Sequence, residues 1–104
     1  MDAYEIRLTD TAENDLRDIA RYISSQLNAP GAALEMMQLF RTYFEKLSAA
    51  PFARSFVKDE YLASMGYRPL NVKKYTALYT VNERDKAVYI ERILFRRREW
   101  AAFI

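Results

Sequence analysis

Neither cysteine nor histidine occurs in this chain of 104 residues. The first absence excludes disulfides, thiolate metal sites and cysteine nucleophiles, and leaves no hint of an oxidising compartment. The second removes the commonest general base and the commonest metal ligand, so catalysis would have to rest on Lys, Arg, Tyr or carboxylates. Glycine is scarce as well, with two residues, and neither a Walker loop, a glycine-rich dinucleotide loop nor a carboxylate cluster with metal spacing can be found. No cofactor and no metal are expected. Long apolar runs are missing too: no segment approaches the roughly 20 residues of a membrane span, and Met1-Asp2-Ala3-Tyr4-Glu5 lacks the basic and apolar regions of a signal peptide. The expected location is the cytoplasm, with no membrane partner.

What is present suits one ordinary core. An apolar content of 51% with 14% aromatics, at a length near the commonest domain size, predicts a single folded domain over residues 1–104. The charge is unevenly spread. Residues 1–65 carry seven basic and ten acidic side chains, whereas residues 66–104 carry nine basic and four acidic ones. Such asymmetry points the C-terminal part toward an anionic partner, an ordinary solvated sheet being the plainer alternative.

The periodicities predict an α+β fold. Tyr4, Ile6 and Leu8 alternate with Glu5 and Arg7, the period of a half-buried strand. Asp10 and Glu13 have the spacing of a capping box. Ala12, Leu16, Ile19, Ile23 and Leu27 then recur at helical spacing, predicting a helix over about 11–27. Asn28-Ala29-Pro30-Gly31 breaks it and starts a second helix, with Ala33, Met36, Met37, Phe40, Phe44 and Leu47 as its apolar stripe and its end near Ala50-Pro51. Residues 51–65 show no clean period and read as an irregular connector packed by aromatics. Three strands follow, Tyr67–Val72, Tyr75–Val81 and Ala87–Phe95, as an antiparallel meander forming one sheet with the first strand. Tyr75, Ala77, Tyr79 and Val81 share one face of the middle strand, and Thr76, Leu78 and Thr80 the other. The last strand is the most apolar and is expected at the centre, while Trp100–Ile104 is expected as a last helical turn or a tail folded on the sheet.

The residues able to do chemistry are cations and tyrosines of this meander: Arg68, Lys73, Lys74, Tyr75, Tyr79, Arg92, Arg96, Arg97 and Arg98. Arginine forks and lysine point charges bind phosphate oxygens or carboxylates alike. Lys73-Lys74 also reads as a turn that keeps a sheet edge soluble. Three consecutive arginines at a strand end project in different directions, so one of them is expected against the domain, as a partner-binding group or in an ion pair with Glu99 or an acid of the helical hairpin.

Taken in order, Ala12-x-x-Asp15-Leu16-x-x-Ile19-Ala20-x-Tyr22-Ile23, a second helix after Ala29-Pro30 closing at Leu47 and Pro51, Gly66-Tyr67-Arg68-Pro69-Leu70-x-Val72, Tyr75-x-x-x-Tyr79-x-Val81 and Val88-x-Ile90-x-Arg92-Ile93-Leu94-x-x-Arg97-Arg98-Glu99 resemble the RelE/ParE superfamily of bacterial toxins. The resemblance spans nearly the whole chain. It implies the toxin of a type II toxin-antitoxin module, neutralised by an antitoxin protein whose C-terminal segment wraps it, with DNA contacted only through that antitoxin.

Two targets divide the superfamily. RelE-like toxins cleave mRNA on the ribosome; ParE-like toxins inhibit DNA gyrase without catalysis of their own. Where RelE-like toxins usually carry an arginine after the first tyrosine of the middle strand, this chain has Thr76. Where they often place a C-terminal tyrosine or histidine, the nearest residues here are Phe103 and Ile104. Arg98 matches the arginine after the last strand, and Lys73 and Lys74 stand near the catalytic lysines. The resemblance therefore implies Arg98, Lys73, Lys74 and Arg68 as catalytic residues only in a ribonuclease, with Tyr75 or Tyr79 stacking on a base. For a binding protein it implies Arg92, Arg96, Arg97, Arg98, Tyr75, Tyr79 and Trp100 as the partner surface. Losing one preorganised charge typically costs about 10² to 10³ in rate, which favours the ParE-like reading, as does the long helical hairpin. The rivals are a ribosome-dependent endoribonuclease and a family member that has lost toxicity.

Overall fold

The alternation at the N-terminus forms β1 (Glu5–Leu8) in the computed structural model, which describes residues 3–96. Helix α1 (Asp10–Arg21) follows directly, but its cap is Thr9 rather than Asp10: the Thr9 side chain accepts from the Ala12 N–H at 3.1 Å. The cap sits one residue earlier than the capping-box spacing predicts. Thr9 also donates its hydroxyl hydrogen to the Glu91 carbonyl at 3.1 Å, so tertiary contact favours it over Asp10. The Glu13 carboxylate faces Arg17 at 3.9 Å, and Asp10 and Glu13 still complement the helix dipole in the first turn.

The first helical segment ends in a π turn, Tyr22–Gln26, in which the Leu27 N–H reaches back five residues to the Tyr22 carbonyl. Helix α2 (Pro30–Ala49) begins with proline in its first turn, where a missing N–H costs nothing. The connector is less irregular than its sequence predicts. Asp59 caps a short helix α3 (Glu60–Ser64), accepting from the Leu62 N–H at 3.0 Å, a local signal hidden by the surrounding aromatics.

Strands β2 (Arg68–Val72), β3 (Tyr75–Asn82) and β4 (Ala87–Phe95) form the expected antiparallel meander, and β1 pairs with β4 in parallel. The order β1-β4-β3-β2 makes a mixed sheet with β4 in the interior. Pairing slips between Leu78 and Tyr79, where Leu78 faces Arg92 and Tyr79 faces Ile90, leaving Glu91 as the extra residue of a bulge. That bulge shifts the alternation, so Ile93 follows Val88 and Ile90 onto the helix-facing side.

Two clusters of buried side chains result. On the helix side, Ala12, Ile19 and Ile23 of the first helical segment and Ala33, Phe40 and Leu47 of α2 pack on Leu70, Val72, Tyr75, Ala77, Tyr79, Val88, Ile90 and Ile93. On the other side, Val57, Leu62 and Tyr67 of the connector cover Leu78 and Leu94. Among the described residues no helix is long and apolar enough to cross a membrane.

Candidate functional site: a basic-rimmed apolar groove

Lys73 and Lys74 form the two-residue connection between Val72 and Tyr75, which pair with each other. Such a tight turn needs left-handed backbone, and Lys73 supplies it at φ 54°. A side-chain-bearing residue there costs about 1 kcal/mol relative to glycine. The end of β4 braces the turn: the Arg96 backbone N–H donates to the Lys74 carbonyl at 2.9 Å, and Arg96 Nη1 donates to the Lys73 carbonyl at 3.1 Å. Three cations are thereby gathered at one corner of the sheet, all exposed.

Beside them runs a groove of about 430 Å³. Its floor is Tyr75, stacked on Phe95 with ring centroids 5.1 Å apart and backed by Phe40 at 6.0 Å. One wall is the π turn and its end, with Tyr22, Ile23 and Leu27; the other is α2, with Met36 and Leu39. The π turn matters here because the extra residue per turn swings Tyr22 and Leu27 outward, leaving them 46% and 56% exposed. Lys73, Lys74 and Glu35 form the rim. An apolar trough edged with lysines suits an amphipathic segment of another protein better than a small polar substrate. A larger groove of about 540 Å³ lies between β1 and the helices, lined by Ile6, Leu8, Met37, Phe44 and others, but it gathers a single basic residue, Arg41, beside Glu45.

The other sequence-predicted residues lie elsewhere. Arg68 is at the far end of β2 from the lysine turn, about 16 Å away at the usual rise per residue. Its guanidinium lies over the Phe56 ring at 4.1 Å and near Phe52 at 5.4 Å, and it donates to the Arg54 carbonyl. Lys73, Lys74 and Arg68 therefore do not converge on one phosphate. Arg92 grips Asp15 of α1 through Nε at 2.9 Å and Nη2 at 3.2 Å, with both side chains mostly buried. Asp15 also accepts from the Ile93 N–H at 2.8 Å, tying α1 to the part of β4 that β1 does not reach. Arg92 is thus engaged by the fold, whereas the sequence reading placed it on the partner surface. Arg97, Arg98, Glu99, Trp100, Phe103 and Ile104 lie outside the described residues.

Tyr75 and Tyr79 both lie deeper than their expected places on a partner surface or against a base. Tyr79 is fully buried and its hydroxyl donates to the Pro51 carbonyl at 3.2 Å; Tyr75 is buried between Phe40 and Phe95. Neither ring offers a face for a nucleobase. Burial pushes both phenols above the ordinary tyrosine range, with Tyr22 adding to the rise at Tyr75, while Arg54 and Arg68 partly oppose it at Tyr79. Both stay protonated at neutral pH and are poor bases. Thr76, at the position where a catalytic arginine was sought, is itself buried and bonds Asn71 Oδ1 at 2.7 Å.

The groove walls escaped the sequence reading. Leu27 belongs to the apolar stripe of the first helix in sequence and Tyr22 lies outside it, and the π turn, which leaves no sequence signature, leaves both exposed on the groove. Phe95 read as the last residue of a buried strand.

Comparison with known proteins bears on the whole chain. A family model described as ParE toxin of type II toxin-antitoxin system, parDE, matches residues 6–100. No curated protein matches by sequence. Among solved structures, the chromosomal ParDE system of P. aeruginosa superposes with a TM-score of 0.72 at 22% identity, covering 89% of this chain and 96% of that one. The RelBE2 toxin-antitoxin complex of Mycobacterium tuberculosis gives 0.64 at 22% identity, covering 90% and 99%. The intact E. coli RelBE complex gives 0.60 at 12% identity, covering 92% and 100%. At these identities the structural likenesses establish the shared fold.

Proposed function

Because this chain belongs to the family of ParE toxins of type II toxin-antitoxin systems, we propose that it arrests growth by binding DNA gyrase, and that its cognate antitoxin restrains it through the groove beside Lys73, Lys74 and Arg96. The observation that carries this reading is the character of that corner. Its cations edge an apolar trough with Tyr75 as floor, and that phenol is buried with its ionisation raised above the ordinary tyrosine range. A ribonuclease needs a group that takes a proton from the ribose hydroxyl and a charge that meets the phosphate in the transition state. Thr76 supplies neither, and Arg68 stands at the other end of β2.

The groove fits an antitoxin segment on physical grounds. An amphipathic helix or strand lays its apolar side chains between the π turn and α2, and its acidic groups meet the two lysines and Arg96. Long-range attraction to this corner speeds encounter, and the buried apolar area holds the complex. The test is controlled expression in bacteria with two readouts. The expected result is filamentation, DNA breakage and induction of the SOS response with intact mRNA. Cleavage of mRNA at ribosome-bound codons with supercoiling undisturbed would overturn the gyrase reading and support an endoribonuclease; absence of any growth effect would identify a non-toxic member of the family.

A further inference from the structure

A second basic and apolar patch sits at the opposite end of β2 from the groove. Phe52, Phe56, Tyr61 and Met65 all come from the connector and α3, and all are exposed. Arg68 lies flat on Phe56 and donates to the Arg54 backbone, so its guanidinium is fixed rather than free to wander. The Arg68 bond to the Arg54 carbonyl brings the two residues together at this corner, and both oppose the rise that burial imposes on the Tyr79 phenol. Among the described residues neither has a carboxylate within ion-pair distance, a state they share with Arg41, Arg84 and Arg96. Two neighbouring guanidinium groups without a counter-charge repel each other, and an anion between them relieves that repulsion.

We propose that this patch is the surface that engages the toxin's target protein, taking a segment in which a carboxylate is flanked by apolar side chains. The inference rests on the gyrase reading above and assigns it a surface. The carboxylate bridges Arg54 and Arg68, while its apolar neighbours rest on Phe52, Phe56 and Tyr61. Aromatic residues and arginine are the side chains that most often carry binding energy in protein interfaces, and a guanidinium held by a ring loses little freedom on binding. A nucleic acid fits less well. One face of Phe56 is already occupied by Arg68, so the ring is not free to stack on a base.

The patch and the groove are separated by the length of β2, and this makes the test selective. Purified wild-type chain, Arg54→Glu and Tyr61→Ser are compared for inhibition of DNA supercoiling by purified gyrase, for affinity to the antitoxin and for urea unfolding. Tyr61 is the most exposed of the four and guards against a folding artefact. Both variants are expected to need about tenfold more protein for half-inhibition, with Arg54→Lys close to wild type and with antitoxin affinity and unfolding midpoint unchanged. Undiminished inhibition by both variants, with the wild type active, would overturn this surface and leave the gyrase reading standing. An equal loss of antitoxin affinity would give the patch to the antitoxin and overturn the proposal. A wild-type chain that leaves gyrase untouched would overturn both readings together.

Discussion

The two ends of β2 carry the same kind of charge and treat it in opposite ways. At one end Arg68 is clamped between an aromatic ring and a backbone carbonyl. At the other, Lys73 and Lys74 stand on a two-residue turn, their side chains exposed and their backbone carbonyls held by Arg96. The difference teaches that a count of cations says little about a site. A guanidinium fixed by packing presents a rigid fork to a partner's carboxylate, whereas lysines on a turn form a soft rim that attracts charge without specifying its geometry. Arg92 shows the extreme, a cation absorbed by the fold through Asp15.

The largest expected effect comes from undoing that extreme case. Asp15→Ala removes both bonds to Arg92 and the acceptor of the Ile93 N–H, breaking a mostly buried ion pair and leaving a backbone donor unsatisfied. A loss of roughly 3 kcal/mol in urea unfolding is expected; a loss below that of an exposed salt bridge would show that α1 is held to β4 by apolar packing alone. At the clamped end, Phe56→Ala should cost about 1 kcal/mol, the worth of a partly exposed cation–π contact and the ring's packing. The same substitution should leave the antitoxin affinity as it was.

Alkaline titration separates the two ends without perturbing partners. Tyr79 and Tyr75 both have folded-state ionisation raised above the reference value of 10.0. A phenol raised in this way contributes stability that is fully present below the unfolded-state value and is lost as pH rises through the folded one, because the folded chain then holds protons that the unfolded chain has released. Stability should therefore fall above about pH 10. Arg68→Ala removes one of the two charges that favour the Tyr79 phenolate, so Tyr79 should ionise at still higher pH, with Tyr75 unmoved, as followed by tyrosinate absorbance. The smallest effect belongs to the turn: Lys73→Gly relieves the left-handed strain and should raise stability by at most about 1 kcal/mol.

Much of this fold was legible because periodicity reports burial. The stripes of α1 and α2 and the alternation in β3 predict the faces that meet in the core, and the apolar run of β4 predicts its interior place. What was illegible depends on contacts distant in sequence. Thr9 outcompetes Asp10 as the cap through a carbonyl on β4, and the bulge at Glu91 exists only against β3. For the site, the lysine turn was readable from its position between two strands. The depth of the tyrosines was readable too, since the alternation puts Tyr75 and Tyr79 on one face with Ala77 and Val81, a composition that belongs in a core. The Pro51 carbonyl shows how the buried Tyr79 phenol is satisfied within.

The contrast between the ends of β2 is tested most directly by the affinity of the antitoxin for two charge-reversed chains, Lys73→Glu/Lys74→Glu and Arg54→Glu, each with an unchanged unfolding midpoint. The account predicts that the first weakens antitoxin binding by about tenfold or more and that the second leaves it unaltered. Equal affinities for the two variants, or a loss confined to Arg54→Glu, would contradict it.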